Sequence, residues 1–192
     1  MNISQGMDIS YVGDLPGGSG LGSSSAFTVA LNHALHRVKG NTPNSLELAK
    51  QAYHIERNEL KETIGIQDQI ATSFGNFNYV KIDKDGTYNI EKVLLTKSQI
   101  ENFLDRIVLV YTGITRLASS VSEKKVKDIV TKEDIVKEMQ SMVLRSKEMV
   151  ESGDLDNFGK LLHENWQLKR SISDVVSNKE IDDLYSKVID YY

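Results

Sequence analysis

With 192 residues, 40% hydrophobic and 26% charged side chains and 2 Pro, the chain is sized for one medium domain or two small ones around an apolar core, which excludes a large multidomain enzyme and a disordered chain. Its 23 Lys and Arg against 27 Asp and Glu give a net charge of −4, which disfavours nucleic acid and anionic membranes as partners. The count of 0 Cys excludes disulfide frameworks, thiolate catalysis and Cys-based zinc sites, and leaves the cytoplasm as the default compartment. The longest strongly apolar stretch, 107–111, is too short to cross a bilayer, and the first residues lack a signal-peptide pattern. Nothing in the composition sets an oligomeric state. Five of the 13 Gly fall at positions 13, 17, 18, 20 and 22, which directs the search for chemistry to that stretch.

In chain order, the alternation of Met7, Ile9 and Tyr11 predicts a strand over 7–12 that runs into the Gly cluster. Phe27, Ala30, Leu31, Ala34, Leu35 and Val38 then recur at helical spacing until Gly40, Asn41 and Pro43 stop the helix. Asn44 with Glu47 predicts a capping box for a second helix, whose buried face is read as Leu48, Ala49, Ala52, Ile55 and Leu60 before Gly65 breaks it. Ile66, Ile70 and Phe74 mark a short third helix ended by Gly75 and Asn76. Strand patterns over 77–82 and 87–95 flank Asp83, Lys84, Asp85 and Gly86, which predicts a hairpin. A calcium loop is disfavoured there because Leu94 occupies the place of the twelfth-position Glu.

A further strand is expected over 107–111, ending at Thr112 and Gly113. Helices follow on Ile135, Met139, Met142, Val143, Met149 and Val150 up to Gly153; on Leu155, Phe158, Leu161, Leu162 and Trp166 with Asp154 as cap; and on Ile181, Leu184, Tyr185, Val188 and Ile189 with Asn178 as cap. The last helix keeps its rhythm to Tyr192 and the first strand has no element before it, so both ends read as cut.

The Gly cluster reads Asp14, Leu15, Pro16, Gly17, Gly18, Ser19, Gly20, Leu21, Gly22, Ser23, Ser24, Ser25, Ala26. Residues without Cβ let the backbone turn tightly and bring several N–H groups onto one anion. The Ser run opens a helix whose free N–H groups and positive dipole end point at the same place, so a polyphosphate is the natural ligand. A Walker A loop would need Lys where Ser23 stands, and a Rossmann fingerprint needs another Gly spacing and an acidic residue where Thr42 stands. An ordinary loop is the remaining alternative.

Two carboxylates stand out. Glu56 lies four residues after Ala52 on the buried stripe, where a cation or hydrogen-bond donors must meet it; Mg²⁺ is one partner, and a rim pair with Arg57 or Lys61 is the other. Glu59, on the same wheel, is read as solvated. Asp68 falls in the first turn of the third helix, where the dipole favours negative charge; it is suited to orient or deprotonate a hydroxyl in phosphoryl transfer, or simply to cap the helix. His33, His36, His54 and His163 show no metal-binding spacing.

Pro16-x-x-x-Gly20-Leu21-Gly22-Ser23-Ser24-Ser25-Ala26 closely resembles the second motif of the GHMP kinases, the family of galactokinase, homoserine kinase, mevalonate kinase and phosphomevalonate kinase. The resemblance implies that Pro16, Gly17, Gly18, Ser19, Gly20, Leu21, Gly22, Ser23, Ser24 and Ser25 wrap the phosphates of ATP, and that Ser24 and Glu56 hold Mg²⁺. Gly65-Ile66-Gln67-Asp68-Gln69 resembles the Gly-x-x-Asp-Gln element of the family's sugar kinases, which implies Asp68 as catalytic acid/base.

Gly17–Phe27, Ile55-Glu56-Arg57, Gln67-Asp68-Gln69, Phe74-Gly75-Asn76-Phe77-Asn78, Tyr111-Thr112-Gly113-Ile114-Thr115-Arg116 and Trp166-x-x-Lys169 together resemble the D-glycero-D-manno-heptose 7-phosphate kinases of this family. That likeness implies a sugar phosphate as acceptor, phosphorylated by ATP on its anomeric hydroxyl. Thr112 and Arg116 would then meet the sugar's 7-phosphate, with a surface salt bridge as the other reading of Arg116. Lys169 would close the sugar site with Trp166, unless the pair is a core Trp with a snorkelling Lys.

The family's first and third motifs are absent from the chain. The fold expected is therefore α+β and GHMP kinase-like: part of an ATP-binding domain over 1–104 and part of a ferredoxin-like domain over 105–192. A non-catalytic nucleotide-binding chain, or a kinase of the family acting on galactose or mevalonate, are the alternatives.

Overall fold

A computed structural model of the chain describes residues 6–14, 19–113, 128–129 and 131–189. The chain is α+β, and its residues group into two compact units: the chain passes from the first to the second between Asn76 and Phe77, and Gly113 is again assigned to the first. In the first unit, α1 (Ser23–Val38), α2 (Ser45–His54) and α3 (Gln67–Phe74) pack on one another. The predicted capping box starts α2: Asn44 Oδ1 accepts from the Glu47 N–H at 2.9 Å, and Glu47 Oε2 accepts from the Asn44 N–H at 2.8 Å. Leu48, Ala49 and Ala52 bury the face that follows, against Val29, Ile66 and Ile70 as the rest of the apolar core.

The second helix does not continue as an α-helix to Leu60. It ends at His54 and widens into a π-turn, Ile55–Glu59, in which the Leu60 N–H donates to the Ile55 carbonyl at 2.9 Å. The wider turn breaks the four-residue stripe, so Glu56 stays buried at 4% exposure while Leu60, expected inside, is 63% exposed. α3 ends at Gly75, whose φ of 61° is the left-handed geometry that Gly supplies.

The strand expected over 7–12 is not formed. Met7, Ile9, Tyr11 and Val12 are exposed, and a strand persists only where a neighbour takes its backbone N–H and C=O groups. Among the described residues only one pair of segments does so, and it lies in the second unit: β1 (Asn78–Ile82) and β2 (Tyr88–Lys92), antiparallel, with Val80 opposite Ile90. Their predicted turn closes on the Gly86 N–H to Asp83 carbonyl bond of 2.9 Å, with Gly86 at φ 83°. The strand expected over 107–111 is likewise unpaired, with Ile107, Val108, Leu109, Val110 and Tyr111 all exposed.

The second unit adds α4 (Lys97–Leu104), α5 (Glu133–Ser152), α6 (Leu155–Ile172) and α7 (Lys179–Ile189). Its core holds Val93, Met142, Val150, Leu161, Ile172 and Val176. Val143, expected on the buried face of α5, is 45% exposed, and Leu162 on α6 is 53% exposed. Asn178 caps α7 through the Ile181 N–H at 2.9 Å, as predicted, whereas the Asp154 carboxylate accepts from the Asn157 side chain instead of capping α6.

Within the second unit, cross-links run to the later helices: Gln99 Nε2 donates to the Glu151 carbonyl at 2.7 Å, Lys147 pairs with Glu91 at 3.1 Å, Arg106 pairs with Asp156 at 2.6 Å, and Phe103 packs between Phe77 and Phe158. These contacts tie the hairpin and α4 to the C-terminal half. Among the described residues no helix is long and apolar enough to cross a membrane.

Candidate functional site

The described part of the Gly cluster, 19–22, leads into α1 through two left-handed glycines, Gly20 at φ 79° and Gly22 at φ 71°. Gly22 is the N-cap of α1; no side chain caps the helix, and its first turn carries no acidic residue. The Ala26 N–H closes the first intrahelical bond onto the Gly22 carbonyl at 2.9 Å. The N–H groups of Ser23, Ser24 and Ser25 therefore stand at the open, positive end of a 16-residue helix. Ser19 Oγ is buried there without a partner, while Leu21 is exposed. Pro16, Gly17, Gly18 and Arg116 lie outside the described residues.

Asp68 comes to the same place from another element. It sits exposed in the first turn of α3 and does not cap that helix, whose N-cap Ile66 makes no side-chain bond. A Cβ added to Gly22 would lie 3.4 Å from Asp68 Cγ and 3.5 Å from its Oδ2, so the carboxylate rests against the turn that opens α1. Gly22→Ala therefore combines a left-handed backbone with crowding of Asp68. The expected loss is about 1–3 kcal/mol, read from the shift of a urea unfolding midpoint; a loss under about 0.3 kcal/mol would show that the turn relaxes freely.

Glu56 is held in the core between α1 and α3. Its Oε2 accepts from Ser25 Oγ at 2.9 Å and from Gln69 Nε2 at 2.5 Å, and Gln69 Nε2 also donates to Ser25 Oγ at 3.0 Å. The groups that meet it are these donors and not Arg57 or Lys61; nearby, His54 Nε2 lies 3.3 Å from a carboxylate oxygen of the exposed Glu59. The second oxygen of Glu56 and the side-chain oxygen of Gln69 are buried with no partner.

The hydroxyl that reaches Glu56 is that of Ser25. It shares the inward face of α1 with Val29 and Asn32, whereas Ser24, one position away, is exposed and accepts from Thr28 Oγ1 through its carbonyl at 3.0 Å. The sequence motifs contain Gln69 but give it no role; its place three residues after Ile66 puts it on the buried stripe of α3.

A Mg²⁺ ion fits this donor set. Mg²⁺ takes one or two carboxylates and completes its shell with water and phosphate oxygens, rather than demanding a cage of protein ligands. Among the described residues no group of three or more His, Asp or Glu could hold a metal, while Glu56 offers one free buried oxygen beside Ser25 at the uncapped N-terminus of α1.

Thr112 and Lys169 belong to the second unit. Thr112 is exposed, just before the left-handed Gly113, and Lys169 is half-buried on α6 three residues after Trp166. Trp166 packs 5.7 Å from the Tyr185 ring, and Tyr185 OH is 2.8 Å from His163 Nδ1, with burial pushing the Tyr185 phenol above its ordinary value. His36, His54 and His163 make protein contacts, with His36 Nε2 2.7 Å from Gln51 Oε1.

Comparison with known proteins finds that residues 1–76 match the GHMP kinases N terminal domain, the same stretch as the first segment of the first compact unit. The chain is 34% identical over 185 residues to the D-glycero-alpha-D-manno-heptose 7-phosphate kinase of Campylobacter jejuni, covering 92% of this chain and 53% of that protein. It is 29% identical over 195 residues to the galactokinase of Thermotoga maritima, covering 87% of this chain and 54% of that protein. Among solved structures, a D-glycero-D-manno-heptose 1-phosphate kinase from Bacteroides thetaiotaomicron superposes with a TM-score of 0.65 at 25% identity, over 82% of this chain and 46% of that one. The chain thus spans about half the length of these relatives.

Proposed function

From the premise that its first 76 residues belong to the GHMP kinase N-terminal domain, we propose that the chain carries the nucleotide and metal machinery of an ATP-dependent sugar-phosphate kinase. The observation that carries this reading is the meeting of three features: the open N-terminus of α1, the buried Glu56 and the Asp68 carboxylate against Gly22. The phosphates of ATP are assigned to the backbone N–H groups of Gly17, Gly18 and Ser19 to Ser25, with Pro16, which has no N–H to give, as the first residue of the same loop motif. Glu56, which Ser25 reaches, and Ser24, assigned on the motif resemblance alone, would hold Mg²⁺, which when bound neutralises charge on the β- and γ-phosphates.

Asp68 orients the acceptor hydroxyl and takes its proton. The hydroxyl oxygen forms the new bond to the γ-phosphorus as the bond from that phosphorus to the β,γ-bridging oxygen breaks, and ADP leaves. The acceptor we favour is D-glycero-D-manno-heptose 7-phosphate, because the relative at 34% identity is named a kinase of it; transfer to the anomeric hydroxyl is assigned on the motif resemblance. We assign Thr112, Arg116 and Lys169 to acceptor contacts on the motif resemblance, and place the reaction in the cytoplasm.

The test is an ADP-release assay with heptose 7-phosphate, galactose and mevalonate as acceptors, run beside calorimetric titration of Mg·ATP. Turnover on the heptose phosphate is expected. Turnover on galactose alone would move the chain to the galactokinase branch of its relatives. Because the chain covers only 53% of its 34%-identical relative, a second reading is a nucleotide-binding chain without turnover, which binding in the absence of ADP release would favour.

A further inference from the structure

We infer that Gln69 is a positioning residue that turns the Glu56 carboxylate, pinning one oxygen and presenting the other to a divalent cation; the inference rests on the kinase reading above. Gln69 is 1% exposed and is among the largest fully buried side chains. An amide in that setting is costly unless its hydrogen bonds are made. Its two N–H groups are both used within one cluster, one on Glu56 Oε2 and one on Ser25 Oγ. The single hydroxyl hydrogen of Ser25 is in turn given to the same Glu56 Oε2. The three side chains therefore close a ring in which each donor is committed and the orientation is fixed. A reversed amide would set its oxygen against the carboxylate and against a hydroxyl that has no hydrogen left to give.

That ring leaves a specific remainder. Glu56 Oε1 and Gln69 Oε1 are buried without a partner, and both are acceptors. A clamp that served only to hold α3 against the π-turn would leave no reason for two orphaned acceptors in one cluster; a cation or a donor is what meets them. Gln69 also adjoins Asp68 on α3, and Ile70, 1% exposed, anchors the same turn in the core. One short helix thus sets both the metal carboxylate and the carboxylate that faces the acceptor.

The test uses Mn²⁺ alone as a paramagnetic probe, titrated by electron paramagnetic resonance without nucleotide, on the whole chain and on Gln69→Met, which is close in volume and offers no N–H donor. Loss of an outer-shell partner is expected to weaken Mn²⁺ binding about 10- to 100-fold. Circular dichroism and thermal melts establish that the variant is folded. Should Gln69→Met fail to fold, Ser25→Ala removes the other donor and is expected to weaken Mn²⁺ in the same direction.

Gln69→Glu provides a readout that a purely structural role would not move. It sets two carboxylates together, so its melting temperature is expected to fall in EDTA and to recover with Mn²⁺ by more than that of the wild type. Folded variants with wild-type Mn²⁺ affinity, or a wild type that shows no bound Mn²⁺, overturn the inference. Mg·ATP titration is read separately: nucleotide binding that persists with unchanged Mn²⁺ affinity in the variants sinks the positioning role alone, while its loss in the wild type sinks the kinase reading.

Discussion

Asp68→Asn is expected to lower phosphoryl transfer to the sugar acceptor by about 100- to 10,000-fold, the range over which positioned acid–base groups act, while Mg·ATP still binds. The reason is local. Asn has nearly the shape of Asp and keeps a hydrogen-bonding carbonyl, but it cannot take the proton of the attacking hydroxyl. Asp68 is exposed, caps nothing and lies against the glycine turn, so the exchange leaves the packing of α3 untouched. Its structural cost is limited to a favourable charge lost from a helix N-terminus, about 0.3–1 kcal/mol. The measurement pairs a coupled turnover assay with Mg·ATP calorimetry. Turnover within about threefold of wild type would remove Asp68 from the acid–base role.

Glu56→Gln is expected to move activity and stability in opposite directions. The replacement keeps a carbonyl oxygen to accept from Ser25 and Gln69, so the buried ring can persist, but it removes the charge that attracts a cation. Turnover is expected to fall on the order of 100- to 1,000-fold and to lose its response to added Mg²⁺. The melting temperature in EDTA is expected to stay level or rise, because a buried carboxylate without a cation is costly and a neutral amide of the same shape is less so. A melt and a Mg²⁺ titration of turnover, on wild type and variant together, decide the matter. A variant much less stable in EDTA but still activated by Mg²⁺ would mean that Glu56 is a structural carboxylate.

The helix boundaries that rest on local chemistry were legible from the residues. Asn44 with Glu47 and Asn178 with Ile181 cap as expected, and Gly75, Gly86 and Gly153 take left-handed angles at helix ends and the hairpin turn. Thr96 and Gln99 form a reciprocal capping box at the start of α4, a helix that the apolar pattern alone does not reveal. The expected strands over 7–12 and 107–111 had a convincing alternation or apolar run, yet strand formation is a property of a pair, and no neighbour supplies the ladder among the described residues.

The candidate site divides along the same line. From sequence alone came the glycine turn that opens α1 and the burial of Glu56, because glycine conformations, helix ends and stripe spacing are set by residues close together in the chain. Only the tertiary structure decided that Ser25 meets Glu56, that Gln69 completes the ring, and that Asp68 lies on Gly22. Each of those contacts joins residues 13 to 46 positions apart, as in Gln69 with Glu56 and Asp68 with Gly22. They depend on how α1, the π-turn and α3 rotate when their apolar faces are buried together. A one-residue change in a helical turn redirects a side chain by about 100°, and the packing that fixes that rotation is shared among elements.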